Sequence, residues 1–145
     1  MQDNARAMVL ASFIADSLAL GVHWIYDALL IGREYGRVET FIKPKDNSYH
    51  PTKDKGEFTH YGDQQLVLLE SVAARNGFDL NDFSERWQRF FQDYNGYFDA
   101  ATKGTLRNFS KGNSPLDSGS PSDDLAGASR IAPLAFCYPN DLEEL

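Results

Sequence analysis

Cysteine is almost absent from this sequence: Cys137 is the single one in 145 residues. No disulfide can close within the chain, and a reducing compartment fits. Nothing basic lies beside Cys137, which suits a small core residue better than a nucleophile. Basic charge is scarce as well. Lys and Arg number 14 against 21 Asp and Glu, leaving a net charge of −7 and a pI near 4.8. The basic residues form no stripe, which disfavours a nucleic-acid partner, since phosphate binding needs a basic face. There is no phosphate-binding glycine loop, no zinc-ligand spacing, no serine-nucleophile motif and no internal repeat. No two strand-like runs are joined by a hairpin turn. No signal peptide is evident. The apolar stretch from Met8 to Leu20 is short for a bilayer and is broken by Ser12, Asp16 and Ser17. These absences point to a soluble cytoplasmic protein with no membrane partner.

What is present is globular. Hydrophobic residues make up 42% and aromatics 13%, enough for one domain over 1–145 with one core. The stretch Gly56–Val72 organises the rest. Phe58 and Thr59 lead to a glycine turn at Gly62, and Asp63 is placed to cap a helix running to Arg75. A helix N-terminus carries partial positive charge and unpaired donors, so this end can hold a carboxylate, a phosphate or a metal-bound carboxylate. The same residues are also explained by Asp63 acting as a cap and nothing more.

In chain order, Asp3 or Asn4 opens a first helix reaching about Leu20. Its apolar residues cover most of its circumference, which places it in the middle of the fold and leaves Asp16 in need of a partner. Asp27 caps a second helix ending at Gly36. Residues 37–58 show no period and read as a long loop, a lid or a mobile segment. Asn81 opens a fourth helix whose Phe83, Trp87, Phe90, Phe91 and Tyr94 form one core face, ending at Asn95-Gly96. Asp99 caps a fifth helix closed by Gly112. A sixth begins at Asp123 or Asp124, runs to Phe136 and is kinked at Pro133. Pro139-Asn140-Asp141 looks like the start of a seventh. The fold class is all-α, a multi-helix orthogonal bundle.

Three junctions gather polar residues: Asp16 to His23, His60 to Asp63, and Ser120 to Asp124. If they converge, their carboxylates could serve acid–base or metal-assisted hydrolysis. His23 beside Trp24 fits a site residue and equally a histidine at the edge of the core. His50 and His60 fit exposed loop positions. Arg130 needs an acidic partner such as Asp16 or Asp124.

At these junctions the chain resembles the ADP-ribosylglycohydrolase family, which includes the J-type crystallins. Ala15-Asp16-Ser17-Leu18-Ala19 looks like the family's Gly-Asp-Ala-Leu-Gly. Tyr61-Gly62-Asp63-Gln64 stands where the family has Thr-Asp-Asp-Thr or Ser. Ser122 to Leu134 looks like the helix that carries Met-Arg and a following Pro, and Asp99-Ala100-Ala101-Thr102 adds a weaker match. The resemblance implies an all-α fold that hydrolyses the glycosidic bond of ADP-ribosyl groups, generally with a pair of magnesium ions. It covers the N-terminal half of the family's domain, so the bundle is expected to be incomplete at its C-terminus. Carried over by position, Asp63, Asp124 and Asp16 are the catalytic candidates, with Asp63 as the metal ligand. His23, His60, Tyr61 and Asp123 are the candidates for contacting an ADP-ribosyl ligand. Tyr61 and Gly62 replace an oxygen donor and a carboxylate, and His23 stands about where the family places a glutamate. Magnesium is therefore expected to bind weakly or not at all. The alternative is a non-catalytic nucleotide-sugar-binding or structural subunit. The unburied helix surface implies a homo-oligomer or a complementary C-terminal chain as partner.

Overall fold

A computed structural model describes residues 2–123 and 125–139. The described residues form six α-helices and no β-strand: α1 (Gln2–Ala19), α2 (Ala28–Glu34), α3 (His60–Arg75), α4 (Leu80–Phe90), α5 (Ala100–Ser110) and α6 (Ala132–Cys137). Short 3-10 turns lie at Leu20–Val22, Pro115–Asp117 and Ala128–Arg130. The chain is all-α, as its hydrophobic periodicity predicts.

The hub is α3, which packs on α1, α4, α6 and the 128–130 turn. Its inward face is half polar: His60, Gln64, Gln65 and Ser71 are buried alongside Val67, Leu68 and Val72. Each buried glutamine finds partners. Gln64 Nε2 donates to the His60 carbonyl at 2.8 Å, and Gln64 Oε1 accepts from Trp87 Nε1 at 2.9 Å and from Arg130. Gln65 Nε2 donates to Ser12 Oγ on α1 at 2.6 Å. These bonds fix one register for α1, α3 and α4, because any slip leaves a buried amide unpaired.

The first helix differs from expectation. One stripe is buried, formed by Val9, Phe13, Ser17 and Leu20, while Leu10 and Ile14 are 62% and 57% exposed. The helix is not central: α3 and α6 cover one side of it, and among the described residues nothing comparable covers the other. Extended by the turn that follows, Asp3–Val22 is 20 residues long and, by length and composition, apolar enough to cross a membrane, contrary to the sequence expectation. Midway along it Asp16 holds Thr59 through both carboxylate oxygens, a contact that insertion into a bilayer would break.

Capping explains the helix starts. Asp27 Oδ1 accepts from the N–H of Leu29 and Leu30, and Asp99 Oδ1 accepts from Thr102, both as predicted. Two caps fall earlier than expected. Asp79, not Asn81, caps α4 through the N–H groups of Asn81 and Asp82. Thr59, not Asp63, caps α3 through the Tyr61 N–H. Gly62 is therefore inside the helix rather than in a turn. The aromatic core forms as predicted, with Trp87, Phe91 and Val67 packed against Phe83, Phe90, Tyr94, Phe98 and Phe109, although α4 stops at Phe90 and Tyr94 follows in the loop beyond it. The long loop is held down: His50 is 1% exposed, and Thr52 Oγ1 donates to the Asn95 carbonyl at 2.6 Å. Pro133 begins α6 instead of kinking a longer helix, because the missing N–H costs nothing in a first turn. Asp124, Asn140 and Asp141, and with them the expected seventh helix, lie outside the described residues.

Two outcomes are expected. Phe13→Ala should lower stability by about 3–5 kcal/mol, whereas Leu10→Ser should stay within about 0.5 kcal/mol; urea melts of equal cost would mean that α1 is covered all round. Asp82 joins α3 to α4, accepting from Arg86 Nε at 2.6 Å, Ser71 Oγ at 2.7 Å and Arg75 Nε at 3.0 Å. The Arg86 and Ser71 hydrogen bonds lead in lowering its pKa from 3.8 to about 2. A depressed carboxylate stabilises the fold above its unfolded pKa and loses that contribution as pH falls through the folded one. Asp82→Asn should thus be less stable than the parent at neutral pH, with the gap closing between about pH 4 and 2 in acid melts.

Candidate functional site

The N-terminal turn of α3 is where the candidate residues meet. Asp16, on α1, reaches across to Thr59: its Oδ2 accepts the Thr59 N–H at 2.8 Å and its Oδ1 accepts the Thr59 hydroxyl at 2.6 Å. Burial pushes the Asp16 carboxyl above its usual pKa, the Thr59 bonds oppose that, and the charge of Asp63 adds to it. The approach is possible because residue 62 is glycine. A Cβ there would lie 2.8 Å from both Asp16 Cγ and Phe58 Cβ, so a side chain at 62 and this placement of Asp16 are mutually exclusive.

Asp63 faces the other way. Its Oδ2 accepts from Lys53 Nζ at 2.7 Å and from the Tyr94 hydroxyl at 2.6 Å, and the Lys53–Asp63 pair is mostly shielded from solvent. Burial, then the bond to Asp63, raises the Tyr94 pKa far above the ordinary phenol value, so the hydroxyl stays a donor. The resemblance implies magnesium here, and the donor set does not fit it. A hard cation wants several oxygens in an octahedral array. Position 62 has no side chain, and the single Asp63 carboxylate already takes an ammonium and a phenol.

Beside the carboxylates lies a cluster of rings. His23, Trp24, His50, His60, Tyr61, Tyr49 and Tyr97 are in mutual edge or tilted contact. The ring centroids lie 5.1 Å apart for His23–His50, 5.8 Å for His23–His60 and 3.9 Å for His60–Tyr61. His50 and His60 are stacked at 5.4 Å. Trp24 holds φ at +62°, a left-handed backbone that a bulky residue rarely adopts. Strain of this kind persists only where its surroundings fix it. Burial, then the neighbouring imidazoles, lowers the His23 pKa to about 4 and the His50 pKa to about 3, so both are neutral at physiological pH. Asp99 Oδ2 stands 3.3 Å behind His60 Nε2, outside hydrogen-bond alignment. Burial acts to raise the Asp99 pKa, but His60 and the Thr102 bonds outweigh it and hold the carboxyl well below the usual range. A cavity of about 310 Å³ opens beside His23 and Trp24, lined also by Leu30, Tyr35, Lys45 and Tyr49.

Of the candidates read from the sequence, the structure brings Asp16, His23, His60, Tyr61 and Asp63 to this end of α3. Asp123 is exposed, and Asp124 lies outside the described residues. His50 and His60 are buried rather than exposed on loops, because the 36–59 segment folds over the end of α3 and packs them against Trp24. Arg130 is tied to the Ala126 carbonyl and to Gln64, and its guanidinium stands over the Tyr61 ring at 5.9 Å. Lys53 and Tyr97 were not anticipated from sequence, and Tyr94 and Asp99, read there as a core aromatic and as a helix cap with a weaker family match, were not named as site residues. One signal was available: every histidine of the chain adjoins an aromatic residue, in His23-Trp24, Tyr49-His50 and His60-Tyr61.

A family model described as ADP-ribosylglycohydrolase matches residues 1–145. Crystallin J1A of Tripedalia cystophora is 32% identical over 94 residues, covering 62% of this chain and 28% of the crystallin. Crystallin J1B of the same organism is 27% identical over 92 residues, covering 63% and 29%. An uncharacterized protein of Archaeoglobus fulgidus is 29% identical over 140 residues, covering 95% of this chain and 44% of the relative. The matched stretch is thus less than half the length of each relative. No solved structure matches.

Gly62→Ala should destabilise the chain by about 1–3 kcal/mol through overpacking against Asp16 and Phe58. Gly62→Asp, which places there the carboxylate that the resemblance implies, should cost at least as much and gain no magnesium affinity. Chemical denaturation together with magnesium calorimetry checks both. Unchanged stability with new magnesium binding would show that Asp16 is free to move aside.

Proposed function

This chain belongs to the ADP-ribosylglycohydrolase family, and from that premise we propose that it is a non-catalytic member, a binding subunit that takes a nucleotide-sugar of the ADP-ribose class in the cleft beside Trp24. The observation that carries this reading is the Lys53–Asp63–Tyr94 triad. The Asp63 carboxylate at the start of α3 has its charge compensated from within the chain, its Oδ2 taking both the Lys53 ammonium and the Tyr94 hydroxyl, which disfavours the hydrolytic role assigned to it. The cleft supports the binding half of the reading. Its volume of about 310 Å³ sits at the lower end of the range for small-ligand pockets, and Trp24, Tyr35 and Tyr49 offer flat amphipathic faces for a base or ribose.

The competing reading is hydrolysis of ADP-ribosyl glycosidic bonds. It draws on the raised Asp16 carboxyl beside Asp63, since carboxylates with unlike environments are the usual acid–base pair. Against it, both Asp16 oxygens are committed to Thr59. The exposed Leu10 and Ile14 face of α1 supports a further element of the proposal: the subunit is covered by a second copy of itself or by a complementary C-terminal chain. The negative charge supports a cytoplasmic protein that keeps off nucleic acid.

Calorimetry of the purified chain with ADP-ribose, with and without Mg²⁺, tests the reading, alongside an assay of ADP-ribose release from ADP-ribosylated protein. Binding should be independent of Mg²⁺, weakened at least about tenfold by Trp24→Ala, and accompanied by no release. Magnesium-dependent release that Asp63→Asn abolishes would overturn it, as would a failure to bind ADP-ribose at all. Light scattering over a dilution series should show association, and a monodisperse monomer throughout would remove the partner from the proposal.

A further inference from the structure

All three histidines of the chain converge from separate places in the sequence: His23 just past the turn that ends α1, His50 in the 36–59 segment, and His60 in the first turn of α3. Each offers one ligand nitrogen, and those atoms lie within 4.8 Å of one another. His50 and His60 are 1% and 0% exposed. Both nitrogens of each, and Nε2 of His23, find no hydrogen-bond partner among the described residues. Buried imidazole nitrogens are normally paired, because a neutral ring carries both a donor and an acceptor that lose water on burial. Packing alone does not account for three of them in one place, since a phenylalanine or leucine would fill the same space without that loss.

We propose that His23, His50 and His60 form a binding site for one divalent transition-metal ion of the zinc class. Imidazole nitrogen suits Zn²⁺, Co²⁺, Ni²⁺ and Cu²⁺, whereas Mg²⁺ and Ca²⁺ require oxygen. Three histidines leave a tetrahedral ion one position for water or another exogenous ligand. Zn–N bonds of about 2.0–2.1 Å set the ligand nitrogens roughly 3.4 Å apart, so the rings close by no more than about 1.5 Å on binding. Asp99 supplies what a metal-bound histidine usually has behind it. Its Oδ2 is 3.3 Å from His60 Nε2, so a small turn of the ring on metal binding would align that bond and leave Nδ1 as the ligand nitrogen. The same carboxylate caps α5 through Oδ1 at 2.6 Å from the Thr102 N–H, so the orienting group is fixed by secondary structure. Trp24 and Tyr97 close over the rings, with centroids 5.2 and 5.3 Å from His60. This site is separate from the Asp63 position and does not depend on the nucleotide-sugar reading.

The test uses the full chain with metal alone. Zn²⁺ calorimetry and Co²⁺ titration followed by visible absorption should show one ion per chain, and excess Mg²⁺ should not displace it. His23→Gln and His50→Gln should each abolish the cobalt spectrum. His23 is partly exposed, so its variant decides the matter if the His50 variant fails to fold by circular dichroism. Asp99→Asn keeps a competent helix cap and should bind about 10–100-fold more weakly. No saturable Zn²⁺ or Co²⁺ binding by the parent, or parent-like binding by His23→Gln, would overturn the proposal.

Discussion

The contact between Asp16 and Thr59 ties together everything that gives this chain its arrangement. One carboxylate in the last turns of α1 takes both the backbone N–H and the hydroxyl of the residue that caps α3. The threonine oxygen in turn accepts from Tyr61. A single charged group therefore sets the crossing of the two helices and the point where α3 begins. That starting point decides which way His60, Tyr61 and Asp63 face, since a shift by one residue rotates each of them by about a quarter turn. Charged hydrogen bonds to buried donors are among the stronger ones available to a fold, and losing one partner strands the other. Glycine at 62 is the steric condition for the contact, and Ser17 and Phe13 bury the same side of α1 beneath it.

From that anchor the polar interior continues along α3. Gln65 returns to Ser12 on α1, Gln64 joins Trp87 and Arg130, and Ser71 meets Asp82. A hub helix with this many buried amides and hydroxyls gains less from burial per residue than an aliphatic one, and gains positional definition in return. The apolar contribution comes from the other side of α3, where Val67 meets the aromatic face of α4. The division suits a protein whose ligand groups stand at the polar end of that helix.

Much of the fold was legible from local signals. Asp27 and Asp99 were readable as caps because a short oxygen side chain precedes each apolar period, and the α4 aromatics were readable from their spacing. The misplacements share a physical cause. Thr59 and Asp63 both have cap chemistry, and only the long-range partner Asp16 settles which of them serves. Pro133 reads as a kink until the preceding residues prove to be a separate 3-10 turn. The apolar circumference of α1 gives its capacity for burial but not which neighbours supply it. At the site, Asp16, His23, His60, Tyr61 and Asp63 were legible from order and motif. Lys53 and His50 were not, because each enters from the 36–59 segment with no periodic signature, and Tyr94 was legible as a core aromatic but not as the partner of Asp63.

The charge balance at this end of the molecule ties the carboxylates to the residues around positions 61 and 62. A cluster of carboxylates near one helix terminus repels itself and normally needs external cations. Here each described carboxylate has an internal counterpart: Thr59 for Asp16, Lys53 and Tyr94 for Asp63, Thr102 and His60 for Asp99. Glycine at 62 carries no charge and leaves open the space that Asp16 occupies. Lys53 supplies, from the chain itself, positive charge against the neighbouring carboxylate. The Lys53 ammonium thus stands against Asp63 as an ion pair within the chain. The buried groups of this region left without partners among the described residues are chiefly imidazole nitrogens. Imidazole is a borderline ligand, so the start of α3 offers unpaired nitrogen donors beside carboxylates that are already compensated.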